Sequence, residues 1–130
     1  MPKDYSKWHL LKQKVNNSFE KRPFFHEREI WYCHLGENVG FEQDGKGESF
    51  LRPIAILRKF NNEIFWAIPL TSALKDSKYY YVISFGAGNK SSAILSQIRL
   101  VDAKRLSHKI GFVTKDEFAL LIKKLKGLIP

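Results

Sequence analysis

The spacing of apolar residues changes several times along the chain, and each change marks an element. Trp8, Leu11 and Val15 recur at helical spacing among lysines, with Asp4 ahead of them as a candidate N-cap, which predicts an amphipathic helix from Asp4 to Asn17. That apolar stripe needs a surface to bury against, and the chain's own body is expected to supply it rather than a second copy. A basic linker, Glu20 to Glu27, follows. From Glu29 to Leu35 the run EIWYCHL is aromatic and β-branched, which predicts a first strand, and the polar, glycine-rich stretch Gly36 to Gly47 predicts a loop. Pro53 to Arg58 and Ile64 to Leu70 are apolar runs joined by KFNNE, where Asn61 and Asn62 tolerate the positive φ of a tight turn; together they predict a hairpin. Tyr79 to Phe85 predicts a fourth strand, GAGNKSS a turn, and Ala93 to Leu100 a further strand with room for a break in its middle. The helical period returns at the end. Phe118, Leu121, Ile122 and Leu125 line one face behind a Thr114/Glu117 capping box, leaving Lys123, Lys124 and Lys126 for solvent or the helix C-terminus.

Short strands at this spacing suggest a small closed or partly closed β-barrel, in a mainly β (α+β) fold with a helix at each end. The expected division is a helix-and-linker extension over 1–27 and a barrel over 28–130. With 130 residues, 44% of them hydrophobic and 14% aromatic, the chain holds enough apolar surface for one core. No internal repeat or low-complexity segment is present.

Charge narrows the partners. Lys and Arg number 22 against 13 Asp and Glu, a formal +9 that favours nucleic acid, an acidic protein or an anionic surface. No apolar run approaches the roughly 18 residues of a membrane span, and MPKDYSKWHLLKQK lacks the apolar core of a signal peptide, so a cytoplasmic protein is expected. Cys33 is the lone cysteine, which excludes an internal disulfide or a multi-cysteine zinc site and suits a buried strand residue better than a reactive thiol. His9, His26, His34 and His108 have no metal-ligand spacing, and no cofactor is expected.

The ordered set EIWYCHLG, GFEQ, a glycine turn, RPIAIL, IPLTS and LSQIRLVDAKRL resembles the PemK/MazF family of toxin endoribonucleases from bacterial toxin–antitoxin systems. The likeness runs from about Glu29 to the C-terminal helix. It implies an SH3-like barrel with a helix at its end, usually a homodimer, that cuts single-stranded RNA without a metal and is neutralised by an acidic, partly disordered antitoxin. In the family an arginine of the Arg-Pro element and a threonine of the Thr-Ser element carry catalysis, which implies Arg52 and Thr71 here. The pairs Glu42–Gln43 and Ser96–Gln97 match positions that line the same site, with Ser72 beside Thr71. Two departures stand out. KGESFL lengthens the loop before Arg52, and Phe41, Ile94 and Ser96 stand where some relatives use a histidine and an Arg-x-Asp set.

Such cleavage makes the ribose 2′-hydroxyl attack the adjacent phosphate, leaving a 2′,3′-cyclic phosphate and a 5′-hydroxyl. It needs a base, an acid and a positive donor for the crowded phosphorus. Arg52 suits the donor role, because a guanidinium gives parallel bonds to two phosphate oxygens, and Pro53 restricts it to an extended backbone. Thr71 offers a neutral hydroxyl, and Glu42 is the candidate base. Phe50 is the best-placed aromatic for a base contact, and His34 a spare acid or base. Taken singly, each residue also reads as ordinary: a solvated turn, a surface arginine, strand-end hydroxyls, an edge bulge. The alternative function is a noncatalytic barrel that binds RNA or a peptide.

Overall fold

The computed structural model describes residues 3–17, 21–36, 50–86 and 88–130. Helix α1 spans Tyr5–Asn16, capped as expected by Asp4, whose Oδ1 accepts from Lys7 N at 2.9 Å. Among the described residues seven strands follow: β1 (Glu29–His34), β2 (Leu51–Lys59), β3 (Ile64–Thr71), β4 (Tyr80–Ser84), β5 (Lys90–Ile94), β6 (Arg99–Asp102) and β7 (Leu106–Phe112); helix α2 (Lys115–Lys126) comes after them. Among the described residues no helix is long and apolar enough to cross a membrane.

All strand pairs are antiparallel, in the order β4-β5-β3-β2-β1-β7, with β6 also on β3. The expected hairpin is β2–β3, but its turn works differently. Asn61 and Asn62 do not adopt positive φ. Instead Asn61 Oδ1 accepts from Glu63 N and Ile64 N at 2.8 and 2.9 Å, so the side chain substitutes for a backbone acceptor. β3 is the pivot of the sheet: Ile64–Ala67 pair with β6, and Leu70 and Thr71 with β5. A single 3-10 turn, Leu95–Gln97, carries the chain from one to the other. The stretch Ala93 to Leu100 is therefore two strands and a turn. The GAGNKSS turn is shorter than expected, because Lys90, Ser91 and Ser92 pair with Ser84, Ile83 and Val82 as part of β5. β7 escapes the apolar pattern altogether: it lies at an edge of the sheet and mostly faces solvent.

The sheet is not closed. No pairing joins β4 to β7 among the described residues, and α2 lies along the exposed edge of β4 instead. There Lys124 Nζ donates to Tyr80 O and Ser77 O at 2.7 and 3.2 Å, and Ser84 N donates to Glu117 Oε1 at 2.9 Å. Thr114 Oγ1 accepts from Glu117 N at 3.3 Å, which is the first half of the expected capping box. The Glu117 carboxylate ties the helix to the sheet, covering an edge that would otherwise present unpaired backbone groups.

Because side chains alternate along a strand, β1–β3 feed two cores. On one face Ile30, Ala55, Leu57, Ile68 and Leu70 pack with Ile83 and with Leu121 and Leu125 of α2. On the other, Trp31, Cys33, Ile54, Ile56, Phe65 and Ala67 pack with Val101, Leu106 and Phe25, a fully buried residue of the segment before β1. Arg22 secures that segment with two parallel bonds to Asp102, Nε to Oδ1 at 2.9 Å and Nη2 to Oδ2 at 3.0 Å.

Candidate functional site

Arg52 sits second in β2, paired with Cys33 of β1 and followed by Pro53, which keeps it extended. It shares the face of Ile54 and Ile56, so its side chain lies over the second core, and it is only 8% exposed. A buried guanidinium requires partners. Nη1 donates to Leu70 O at 3.0 Å, which holds the plane of the group against the end of β3. The β2–β3 pairing reaches Ile54 against Pro69, with Arg52 two residues before the one and Thr71 two residues after the other. Leu70, whose carbonyl anchors Arg52, directly precedes Thr71, which brings Arg52 to the end of β3 that carries Thr71.

Thr71 closes β3, half-buried and paired with Ser92. Its Oγ1 accepts from Ala73 N at 3.4 Å, while the fully buried Ser92 accepts from Lys75 N at 2.8 Å; the two hydroxyls shape the turn that leaves the strand. Ser72 follows Thr71 and is exposed. Ser96 and Gln97 stand on the 3-10 turn, between the pairings Leu70↔Ala93 and Ala67↔Arg99, and so lie further back along β3 than Thr71. His34 ends β1 opposite Leu51, next to Arg52, and its carbonyl accepts from Arg105 Nη1 at 3.1 Å. Glu42 and Gln43 lie outside the described residues. Phe50 is not presented to solvent: it is 4% exposed, with its ring tilted on Trp8 at 5.4 Å between centroids. Its place is a packing position at the entry to β2.

Two further arginines are missed by the sequence reading. Arg99 alternates with Val101 and Ala103, which belong to the second core, so all three share the face that carries Arg52. Arg105 follows on the turn after β6. Burial pulls the Arg105 guanidinium below its ordinary value, and the like charge of Arg99 adds to that. Burial also drives the Cys33 thiol up to about 12 despite the opposing pull of Arg105 and Arg99, which makes it an inert core residue. The signal available in the sequence was the alternation Arg-x-Val-x-Ala, which puts a cation in register with two small core residues. Chemically, this end of the sheet can hold and polarise an anion. Among the described residues no cluster of His, Cys, Asp and Glu could hold a metal ion.

Residues 26–129 match the family model described as PemK-like, MazF-like toxin of type II toxin–antitoxin systems. No curated protein sequence matches the chain. Among solved structures, MazF from Deinococcus radiodurans is similar with a TM-score of 0.65 at 19% identity, over 85% of this chain and 98% of that one. An endoribonuclease from a mycobacterial species is similar with a TM-score of 0.59 at 15% identity, over 85% of this chain and 93% of that one. A mycobacterial endoribonuclease in complex with its cognate antitoxin is similar with a TM-score of 0.57 at 12% identity, over 81% and 97%.

Proposed function

The chain belongs to the PemK-like, MazF-like toxins of type II toxin–antitoxin systems, and from that premise we propose that it is an endoribonuclease that cuts single-stranded RNA without a metal. The observation that carries this reading is the buried Arg52, anchored on Leu70 O beside Thr71. A guanidinium held there stabilises the negative charge that builds on phosphorus as the 2′-hydroxyl attacks, exchanging partners as the phosphate arrives. Thr71 binds a second phosphate oxygen through its hydroxyl. Glu42 takes the base role on the sequence alone, and Gln43, Ser72, Ser96, Gln97 and His34 supply contacts along the strand. The products are a 2′,3′-cyclic phosphate and a 5′-hydroxyl.

In this reading the toxin works in the cytoplasm as a homodimer, and an acidic antitoxin segment neutralises it. The formal +9 charge suits both the RNA and such a segment. The test is a long mixed-sequence RNA incubated in excess EDTA with the wild type, Arg52→Ala and Thr71→Ala. Discrete cuts with cyclic-phosphate ends are expected from the wild type. Loss of one transition-state donor lowers kcat by a factor on the order of 10² to 10³, and each variant should fall by about that much. RNA that is bound but left intact by the wild type would instead mark a noncatalytic binding barrel.

A further inference from the structure

Helix α1 buries a single side chain, Trp8, at 7% exposure; Leu11 and Val15 are half-buried, and Tyr5 and Leu10 face solvent. It precedes the part of the chain that matches the family model. Asn16 O accepts from Lys104 Nζ at 2.9 Å at the far end of the helix, but Trp8 is its one buried side chain, and three separate contacts define the place of the indole.

The indole lies directly on Gly36. That glycine has φ +75°, and a Cβ added to it would overlap Cε2, Cδ2 and Cζ2 of Trp8. The indole also packs on Phe50, whose carbonyl accepts from both Leu35 N and Gly36 N at 3.1 and 3.3 Å. Phe50 has φ +53°, a conformation that a bulky residue keeps only when its surroundings enforce it. Finally, the Arg105 guanidinium lies 5.5 Å from the Trp8 ring while its Nη1 holds His34 O. The end of β1, the entry to β2 and the turn after β6 thus meet at one side chain. Arg52 is two residues beyond Phe50 and pairs with the residue just before His34.

We propose that Trp8 is a positioning residue for the RNA-cleaving site, holding Phe50 and Arg105 so that β2 delivers Arg52 at a fixed angle to the end of β3. The proposal rests on the role given to Arg52 above. Trp8 touches neither substrate nor reacting atoms. Its effect is geometric, and a misplacement of about 1 Å in a catalytic group can cost on the order of 10² in rate.

The test compares the full-length wild type with Trp8→Ala, Trp8→Phe and Gly36→Ala. The readouts are steady-state kcat and KM on an RNA oligonucleotide with a single cut site, and amide hydrogen exchange. Trp8→Ala should lower kcat about 10- to 100-fold with KM changed less than about threefold. Trp8→Phe should recover most of the rate, and Gly36→Ala should resemble Trp8→Ala because its methyl displaces the indole. Exchange should quicken at residues 33–36 and 50–54 and stay unchanged in α2. A wild-type kcat in Trp8→Ala, or a loss confined to KM, overturns the proposal; the latter would make α1 an RNA-holding appendage. If the wild type itself leaves RNA uncut, the ribonuclease reading fails. Exchange then decides the positioning claim separately, and unchanged exchange at 50–54 in Trp8→Ala overturns it.

Discussion

Glu29 shows how a single buried carboxylate sets an acid limit on the fold. Burial alone would disfavour its ionisation, but donors from Trp31 Nε1 at 3.0 Å, His26 N at 2.8 Å and Lys109 Nζ at 3.0 Å outweigh that and hold it below its ordinary value of 4.5. A folded value below the unfolded one gives stabilisation that is complete above the unfolded value and is lost as pH falls through the folded one. Thermal melts of the wild type should therefore lose stability below about pH 4.5, with Glu29 contributing to the loss. Glu29→Gln leaves buried donors facing an amide and should cost about 1–3 kcal/mol at pH 7, with a shallower acid limb. An unchanged melting profile would remove Glu29 from this role. At this scale the sequence is informative where backbone chemistry acts locally: Pro53 holds Arg52 extended, and Asp4 caps α1. It is silent where the partner is distant. Nothing in the sequence near Phe50 announces Trp8, and nothing near Glu29 announces Lys109, because folding alone brings those pairs together.

Elements were legible in proportion to how strongly they alternate or repeat. Both helices follow from cap and period, β1–β3 from apolar, β-branched runs that end up mostly buried, and β4 from a similar run of which only Ile83 is buried. β7 left no such trace, because an edge strand with solvent on most of its side chains has no reason to be apolar, and its pairing with β1 shifts register twice. The break between β5 and β6 depends on β3 holding two partners in succession, which is a property of the sheet and not of the segment. For α2 the consequence is a division of labour at its first turn, where Thr114 caps the helix and Glu117 ties it to Ser84. Thr114→Ala should cost about 0.5–2 kcal/mol, typically about 1. That corresponds to a drop of about 3–5 °C in Tm for a domain of this size. Calorimetry that finds no change would mean that solvent satisfies the helix N-terminus equally well.

For the whole molecule, the excess of 22 basic over 13 acidic side chains predicts how RNA affinity responds to salt. Single-strand binding falls with a log–log slope of about −0.7 per phosphate neutralised. A footprint of about four phosphates would then lose affinity about 50-fold between 50 and 200 mM salt. The measurement uses an RNA with a 2′-deoxy nucleotide at the cut site, so that it binds without being cleaved. Arg52→Gln should flatten the slope by about 0.7, whereas a salt-independent affinity would argue against phosphate recognition.

The docking of Trp8 also ties the molecule to the order of its own synthesis. The helix that carries Trp8 is made well before Arg105, one wall of the place where it settles. At about 5–20 residues per second the interval is on the order of 5–20 s. Throughout that time the nascent chain has its anchor but not its seat. A helix made early thus waits on a partner made later, and a chain cut short before Arg105 leaves α1 without that wall.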